Sequence, residues 1–213
     1  VTADPIVVLD YGIGNLRSAE KALRHLGVAA ELVTEPDQVA KASGVILPGV
    51  GAFGACADAL ERSGLGEAAK QAVKARVPFL GICVGLQLLY EFSDESPGAR
   101  GLGILPGTVH RMTGAVKLPQ MQWNQLDRRR GSPCDLLDGL PERPWVYFVH
   151  SFAPDVDGRT VATCDYGGAV TAVVEQDRVW GVQFHPEKSG SAGLAILANF
   201  VRICQVRAQP AGC

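Results

Sequence analysis

Phe79-Leu80-Gly81-Ile82-Cys83-Val84-Gly85-Leu86-Gln87-Leu88-Leu89 is the stretch from which the architecture follows. Residues 78–82 form a short apolar run of the kind found in strands buried on both faces. Residues 84–92 follow without a linker and read as a helix. Between them stands Gly81-Ile82-Cys83-Val84-Gly85, a Gly-x-Cys-x-Gly version of the strand–turn–helix elbow that lifts a nucleophile out of a sheet. The glycines suit a tight turn whose neighbours approach closely. Such a turn points backbone N–H groups and the positive helix end at the sulfur, which favours a thiolate. The bland alternative is an inert cysteine at a buried strand end. Both flanking glycines and the preceding strand favour the nucleophile.

The same alternation extends outward from the elbow. Strands are predicted at 6–9, 30–33 and 44–47. Helices are predicted after Asn15, after Pro36, at about 54–62 and at 66–76. Asn15 is placed to cap the first helix, whose Leu16, Ala19, Leu23 and Leu26 fall on one face before Gly27 stops it. Strands alternating with helices imply right-handed βαβ units and a mostly parallel sheet. From Gly101 the apolar runs shorten, at 104–112, 146–150, 160–164, 169–175 and 178–184. They read as antiparallel hairpins continuing the sheet, with Gln176-Asp177 at one tip. A last helix is predicted at 193–206. The expected class is α/β, an open and mostly parallel sheet flanked by helices, with antiparallel hairpins in the C-terminal half.

Composition narrows the function classes. The chain has 213 residues, 47% hydrophobic and 20% charged, with a formal net charge of −2. That fits one globular domain or two tightly joined lobes, able to bury roughly 70% of the unfolded surface without disulfide or metal support. Bulk charge gives no drive toward nucleic acid or membrane surfaces. The start of the chain shows neither a basic segment nor a long apolar one, so no signal peptide is expected. The six cysteines include no Cys-x-x-Cys pair and the four histidines are scattered. Reduced thiols in a cytoplasmic protein, with no metal and no cofactor, are therefore expected. Arg128-Arg129-Arg130 reads as a solvated surface run, and the tail 207–213 as disordered. Gly12-Ile13-Gly14 lacks the third glycine of a dinucleotide fingerprint, which Arg17 replaces.

Two further motifs can serve the elbow. A thiolate needs a base, and the base an orienting group. Gln183-Phe184-His185-Pro186-Glu187 supplies both, since positions i and i+2 of an extended segment share a side. Cys83, His185 and Glu187 thus form a candidate triad. Pro48-Gly49-Val50-Gly51-Ala52-Phe53 follows another strand, and its backbone N–H groups can face an oxyanion beside Cys83. The alternatives are a surface turn for the first motif and a plain βα turn for the second. His150 ends a predicted strand and reads as a structural hydrogen-bonding residue.

Taken together, the stretch 79–89 and Gly181-Val182-Gln183-Phe184-His185-Pro186-Glu187 resemble class I, triad-type glutamine amidotransferases. Within that class, Asp10-Tyr11-Gly12-Ile13-Gly14-Asn15-Leu16-Arg17-Ser18, Leu47 to Phe53, Tyr147-Phe148-Val149-His150-Ser151 and His185-Pro186-Glu187-Lys188-Ser189 resemble the glutaminase subunits of imidazole glycerol phosphate synthase. The resemblance spans residues 6 to about 203. It implies a single amidotransferase domain in which Cys83 attacks the glutamine side-chain amide, His185 moves the proton and Glu187 orients His185. It implies an oxyanion site from Val84 and the Gly49, Val50 and Gly51 loop, which rearranges before it donates. Gln87, Ser151 and Phe152 match positions that hold the amino-acid end of glutamine. Asn15, Trp123, Tyr147 and Lys188 match positions near the interface with a (β/α)₈ cyclase subunit, which takes the ammonia in histidine biosynthesis; because the oxyanion loop must rearrange, the resemblance implies a nearly idle free glutaminase. The sequence departs from the family's Pro-His-Met-Gly-Trp-Asn at Gln120 and Gln122, touching no triad position. Three other readings compete: a class I glutaminase serving anthranilate or aminodeoxychorismate synthesis, a non-catalytic relative, and a stand-alone thiol hydrolase. The Tyr-Gly-x-Gly-Asn start and the His-Pro-Glu-Lys-Ser segment weigh against the first. The intact triad weighs against the second, and the interface-like residues against the third.

Overall fold

The computed structural model describes residues 4–129 and 131–206. Arg130 and the tail 207–213 lie outside them. In chain order the elements are β1 (Ile6–Leu9), α1 (Leu16–His25), β2 (Ala30–Val33), α2 (Pro36–Val39), β3 (Gly44–Gly49), α3 (Phe53–Arg62), α4 (Leu65–Lys74), β4 (Phe79–Cys83) and α5 (Val84–Gln87). Then come β5 (Phe92–Ser93), β6 (Thr108–Arg111), β7 (Gln120–Gln125), β8 (Asp127–Arg128), β9 (Trp145–His150), β10 (Phe152–Pro154), β11 (Thr160–Asp165), β12 (Ala169–Gln176), β13 (Val179–Val182) and α6 (Gly190–Gln205).

The main sheet has the order β2-β1-β3-β4-β13-β12-β11-β8. Neighbours from β2 through β13 pair parallel, whereas β13-β12, β12-β11 and β11-β8 pair antiparallel. Every residue of β1, β3, β4 and β13 is buried. These runs carry no polar side chain except the thiol of Cys83 and the indole N–H of Trp180, because helices cover both faces. Each fully buried Val, Ile or Leu contributes roughly 1.5–3 kcal/mol.

The expected class holds, with local corrections. The helix predicted at 84–92 is a single turn, α5. Its continuation fails because the 101–105 segment takes the carbonyls that a longer helix would use: Leu102 N–H donates to Leu88 O at 2.7 Å and Leu105 N–H to Leu89 O at 2.8 Å. The runs at 104–112 and 146–150 do not continue the main sheet. β6 joins β10 and β5 in a small sheet, and β9 pairs with β7 as a separate ribbon. The run at 178–184 is antiparallel only toward β12; on its other side it is parallel to β4. Asp177 takes a positive φ of 55° at the β12–β13 tip. Arg128 and Arg129 are exposed, as expected of a surface run, and their guanidiniums also donate to the carbonyls of Leu137 and Leu140 and to those of Asp157 and Thr160. Gln122 is an ordinary strand residue opposite Phe148. Among the described residues, no helix is long and apolar enough to cross a membrane.

Candidate active site

Register brings the site together. Gly49 lies opposite Cys83, and Val182 opposite Ile82, so β3, β4 and β13 end side by side. Ligands of open α/β sheets gather at such carboxyl ends. Cys83 sits at φ 56°, ψ −113°, a strained backbone for a residue with a side chain. The elbow also needs Gly85, since a Cβ there would lie 1.8 Å from Leu47 O of β3.

The chain leaving β13 docks on β9. His185 N–H donates to Tyr147 O at 2.9 Å, Ser189 Oγ donates to His185 O at 2.6 Å, and Tyr147 N–H donates to that same Oγ at 2.9 Å. This clamp fixes the imidazole. Its Nδ1–H donates to Glu187 Oε1 at 2.8 Å, and both side chains are almost wholly buried. The Cys83 side chain is the other group that acts on the ring. Burial pulls the imidazole pKa down, but Cys83 and Glu187 together outweigh it and raise it to about 10. That favours an imidazolium beside Cys83. Asn15 makes no side-chain cap on α1. Its amide instead donates to Glu187 Oε1 at 3.3 Å, while Ser18 Oγ–H donates to Asn15 Oδ1 at 2.8 Å.

A cleft of about 400 Å³ opens on this group, and its wall includes Cys83, His185, Val50, Gly51, Val84 and Gln87. The glycine loop packs on the elbow so closely that a Cβ on Gly49 would meet Gly85 N at 2.8 Å. Tyr11 Oη–H donates to Pro48 O at 2.7 Å and Cys56 Sγ–H to Val50 O at 3.2 Å, which holds the Pro48–Gly49 and Val50–Gly51 peptides. Ser151 and Phe152 also reach the cleft. Gln87 Nε2 donates to Phe152 O at 3.0 Å and to Gln183 Oε1 at 3.3 Å. Gln183 Nε2 in turn lies 3.9 Å from Cys83 Sγ.

Glu95 is a lining residue that sequence reasoning missed. Phe53 N–H donates to its Oε2 at 2.7 Å, which holds the carboxylate at the cleft. No motif marks it; it arrives because the chain turns back past the elbow after β5. Of the proposed interface positions, Trp123 and Tyr147 pair edge to face across the β7–β9 ribbon, with centroids 6.1 Å apart. Lys188 is exposed and also borders the cleft. Met121 at 63% and Trp145 at 54% exposure extend an apolar face around Trp123, itself 47% exposed.

The family model of class-I glutamine amidotransferases matches residues 7–204. The imidazole glycerol phosphate synthase subunit HisH of Desulfitobacterium hafniense strain Y51 is 45% identical, with 92% of each chain covered. The proteins of that name from Salinibacter ruber and Synechococcus elongatus are 45% and 47% identical, with 92% of this chain covered in both cases and 93% and 92% of theirs. The chain belongs to the HisH family of class-I glutamine amidotransferases. Among solved structures, a glutamine amidotransferase matches this amidotransferase with TM-score 0.75 at 20% identity, covering 94% of this chain and 99% of that one. PurLQS from Thermotoga maritima matches with TM-score 0.73 at 20% identity, covering 95% and 99%. Identities this low speak for the amidotransferase fold alone.

Proposed function

We propose that this protein is one amidotransferase domain that hydrolyses L-glutamine to glutamate and ammonia and passes the ammonia to a cyclase subunit. The observation that carries the reading is His185, hydrogen-bonded to Glu187, sharing the wall of the cleft with Cys83.

The Cys83 thiolate adds to the Cδ carbon of the glutamine amide, and the oxygen becomes an oxyanion. Backbone N–H groups of Val84 and of the Gly49, Val50 and Gly51 loop face that charge. As the tetrahedral adduct collapses, the C–N bond breaks and the His185 imidazolium protonates the departing nitrogen, which leaves as ammonia. The γ-glutamyl thioester remains. Neutral His185 then takes a proton from water, the hydroxide attacks the thioester and the thiolate is expelled with glutamate. Glu187 holds the ring tautomer throughout. Gln87, Ser151 and Phe152 hold the amino-acid end of the substrate, and the Glu95 carboxylate faces its ammonium.

Ammonia released to water is protonated or lost, so the producing site must be sealed against its acceptor. The acceptor is a (β/α)₈ cyclase that forms imidazole glycerol phosphate and an aminoimidazole carboxamide nucleotide in the cytoplasm. Asn15, Trp123, Tyr147 and Lys188 lie at or behind the docking face. The test is a glutaminase assay with and without the cyclase and its nucleotide ligand. Hydrolysis should be slow alone and rise many-fold in the complex. The Cys83→Ala chain should lose glutamine-driven synthesis while the complex still accepts added ammonia. Equal turnover with and without the cyclase would remove the coupling, and turnover by Cys83→Ala would remove the triad.

A further inference from the structure

A polar chain runs from the cleft wall at His150 into the interior, and the mechanism above uses neither His150 nor the residues behind it. Gln120 is wholly buried, and His150 nearly so. His150 Nδ1 lies 2.9 Å from Phe152 O, and its Nε2 lies 3.0 Å from the Gln120 side-chain oxygen. The Gln120 amide nitrogen lies 3.7 Å from Cys164 Sγ. A carbonyl oxygen only accepts, so Nδ1 must carry a proton. With an oxygen also against Nε2, the ring would have to be an imidazolium. Burial opposes that charge most strongly, nearby His185 opposes it further, and the pKa of His150 falls to about 4 despite the Phe152 carbonyl.

One rotation of the amide satisfies every group without charge. Turned by 180°, Gln120 donates Nε2–H to His150 Nε2 and accepts Cys164 Sγ–H on its oxygen; the two ends of a carboxamide have nearly the same shape. The chain then runs from Cys164 through Gln120 and His150 to the Phe152 carbonyl. There it meets Gln87, whose two amide N–H groups are consumed by Phe152 O and Gln183 Oε1. The group that Gln87 has left for a ligand is its carbonyl oxygen.

Resting on the reading of the cleft as a glutaminase site, we propose that Gln120 is a positioning residue for glutamine: by donating to His150 Nε2 it fixes the Nδ1–H tautomer against the Phe152 carbonyl, and through that carbonyl it orients Gln87 toward the substrate. Gln120 touches no substrate itself. Losing one buried neutral hydrogen bond of this kind reads as about tenfold in affinity.

Two measurements test it. The first is imidazole ¹⁵N NMR of the wild-type chain, which needs no variant and no working glutaminase. His150 should be neutral and Nδ1-protonated from about pH 6 to 8; an imidazolium, or a ring protonated at Nε2 alone, overturns the proposal. The second is steady-state glutaminase kinetics in the cyclase complex with its nucleotide. Gln120→Leu should raise KM for glutamine about tenfold with kcat within about threefold, and Cys83 should react with iodoacetamide at the wild-type rate. Gln120→His, which keeps a ring N–H donor, should restore KM. An unchanged KM in Gln120→Leu, or a loss confined to kcat, overturns the proposal. Wild-type protein that hydrolyses no glutamine in the complex would count against the proposed function instead, and the NMR result would still decide the tautomer.

Discussion

Asn15 donates its amide to Glu187 Oε1 at 3.3 Å, tying the exit of β1 to the carboxylate that holds His185. The other oxygen, Glu187 Oε2, is buried with no hydrogen-bond partner among the described residues. Asn15 is therefore one of few groups steadying that carboxylate, and a hydrogen bond to a charged group is worth about 1.5–3 kcal/mol. Asn15→Ala is expected to lower kcat of the cyclase-activated glutaminase by about tenfold while KM stays within about twofold. Steady-state kinetics at saturating nucleotide checks both numbers.

The strain at Cys83 has a separate signature. Its φ of 56° suits glycine better than any residue with a Cβ. Cys83→Gly and Cys83→Ala should both lack glutaminase activity, yet the glycine variant should be the more stable by about 1 kcal/mol, a few degrees in Tm for a chain of this size. Calorimetry of the pair reads the difference directly. An alanine variant as stable as the glycine one would mean that the elbow stores no strain.

Glu95 holds a carboxylate at the cleft through the Phe53 N–H. Glu95→Gln keeps the shape and that acceptor but removes the charge that the proposed function sets against the substrate ammonium. KM for glutamine should rise by at least about tenfold with a smaller change in kcat. A substrate analogue lacking the α-amino group should lose the distinction between wild type and variant.

Two histidines make opposite contributions to stability with pH. His150 has its folded pKa depressed to about 4 from 6.5. Its unfolded form therefore binds the extra proton between those values, and stability falls as pH drops from about 6.5 to about 4, by about 3 kcal/mol at most. His185 is raised to about 10. Its contribution is complete below about pH 6.5 and is lost as pH rises toward 10. Urea unfolding at pH 7 and 4.5 should show a smaller acid loss in His150→Gln than in wild type. Unfolding at pH 7 and 10 should show a smaller alkaline loss in His185→Gln.

The parallel half of the fold was legible because β1, β3 and β4 are buried on both faces and must be continuous apolar runs. The elbow was legible because its chemistry is compressed into five consecutive residues around Cys83. The β7 strand was not: Gln120-Met121-Gln122-Trp123-Asn124-Gln125 buries a glutamine at one end and exposes Met121 and Trp123, so its pattern is not that of an ordinary half-buried strand. Its burial of Gln120 depends on His150 and Cys164, remote in sequence. The true end of α5 was hidden for a similar reason, since the backbone that stops it comes from residues 101–105. Glu95 and the Asn15–Glu187 contact are likewise products of chain return, and no local spacing encodes them.

The β9 strand carries two faces of the molecule's work at once. Tyr147 shows its ring to solvent beside Trp123, while its carbonyl accepts the His185 N–H; Val149 O, two residues on, lies 3.9 Å from Cys83 Sγ. Whatever settles on those aromatic rings leans on the same backbone that sets sulfur and imidazole. The exposed Tyr147 ring and the backbone contacts of the nucleophile and its imidazole thus lie within three residues of one extended strand, with no loop or domain between them.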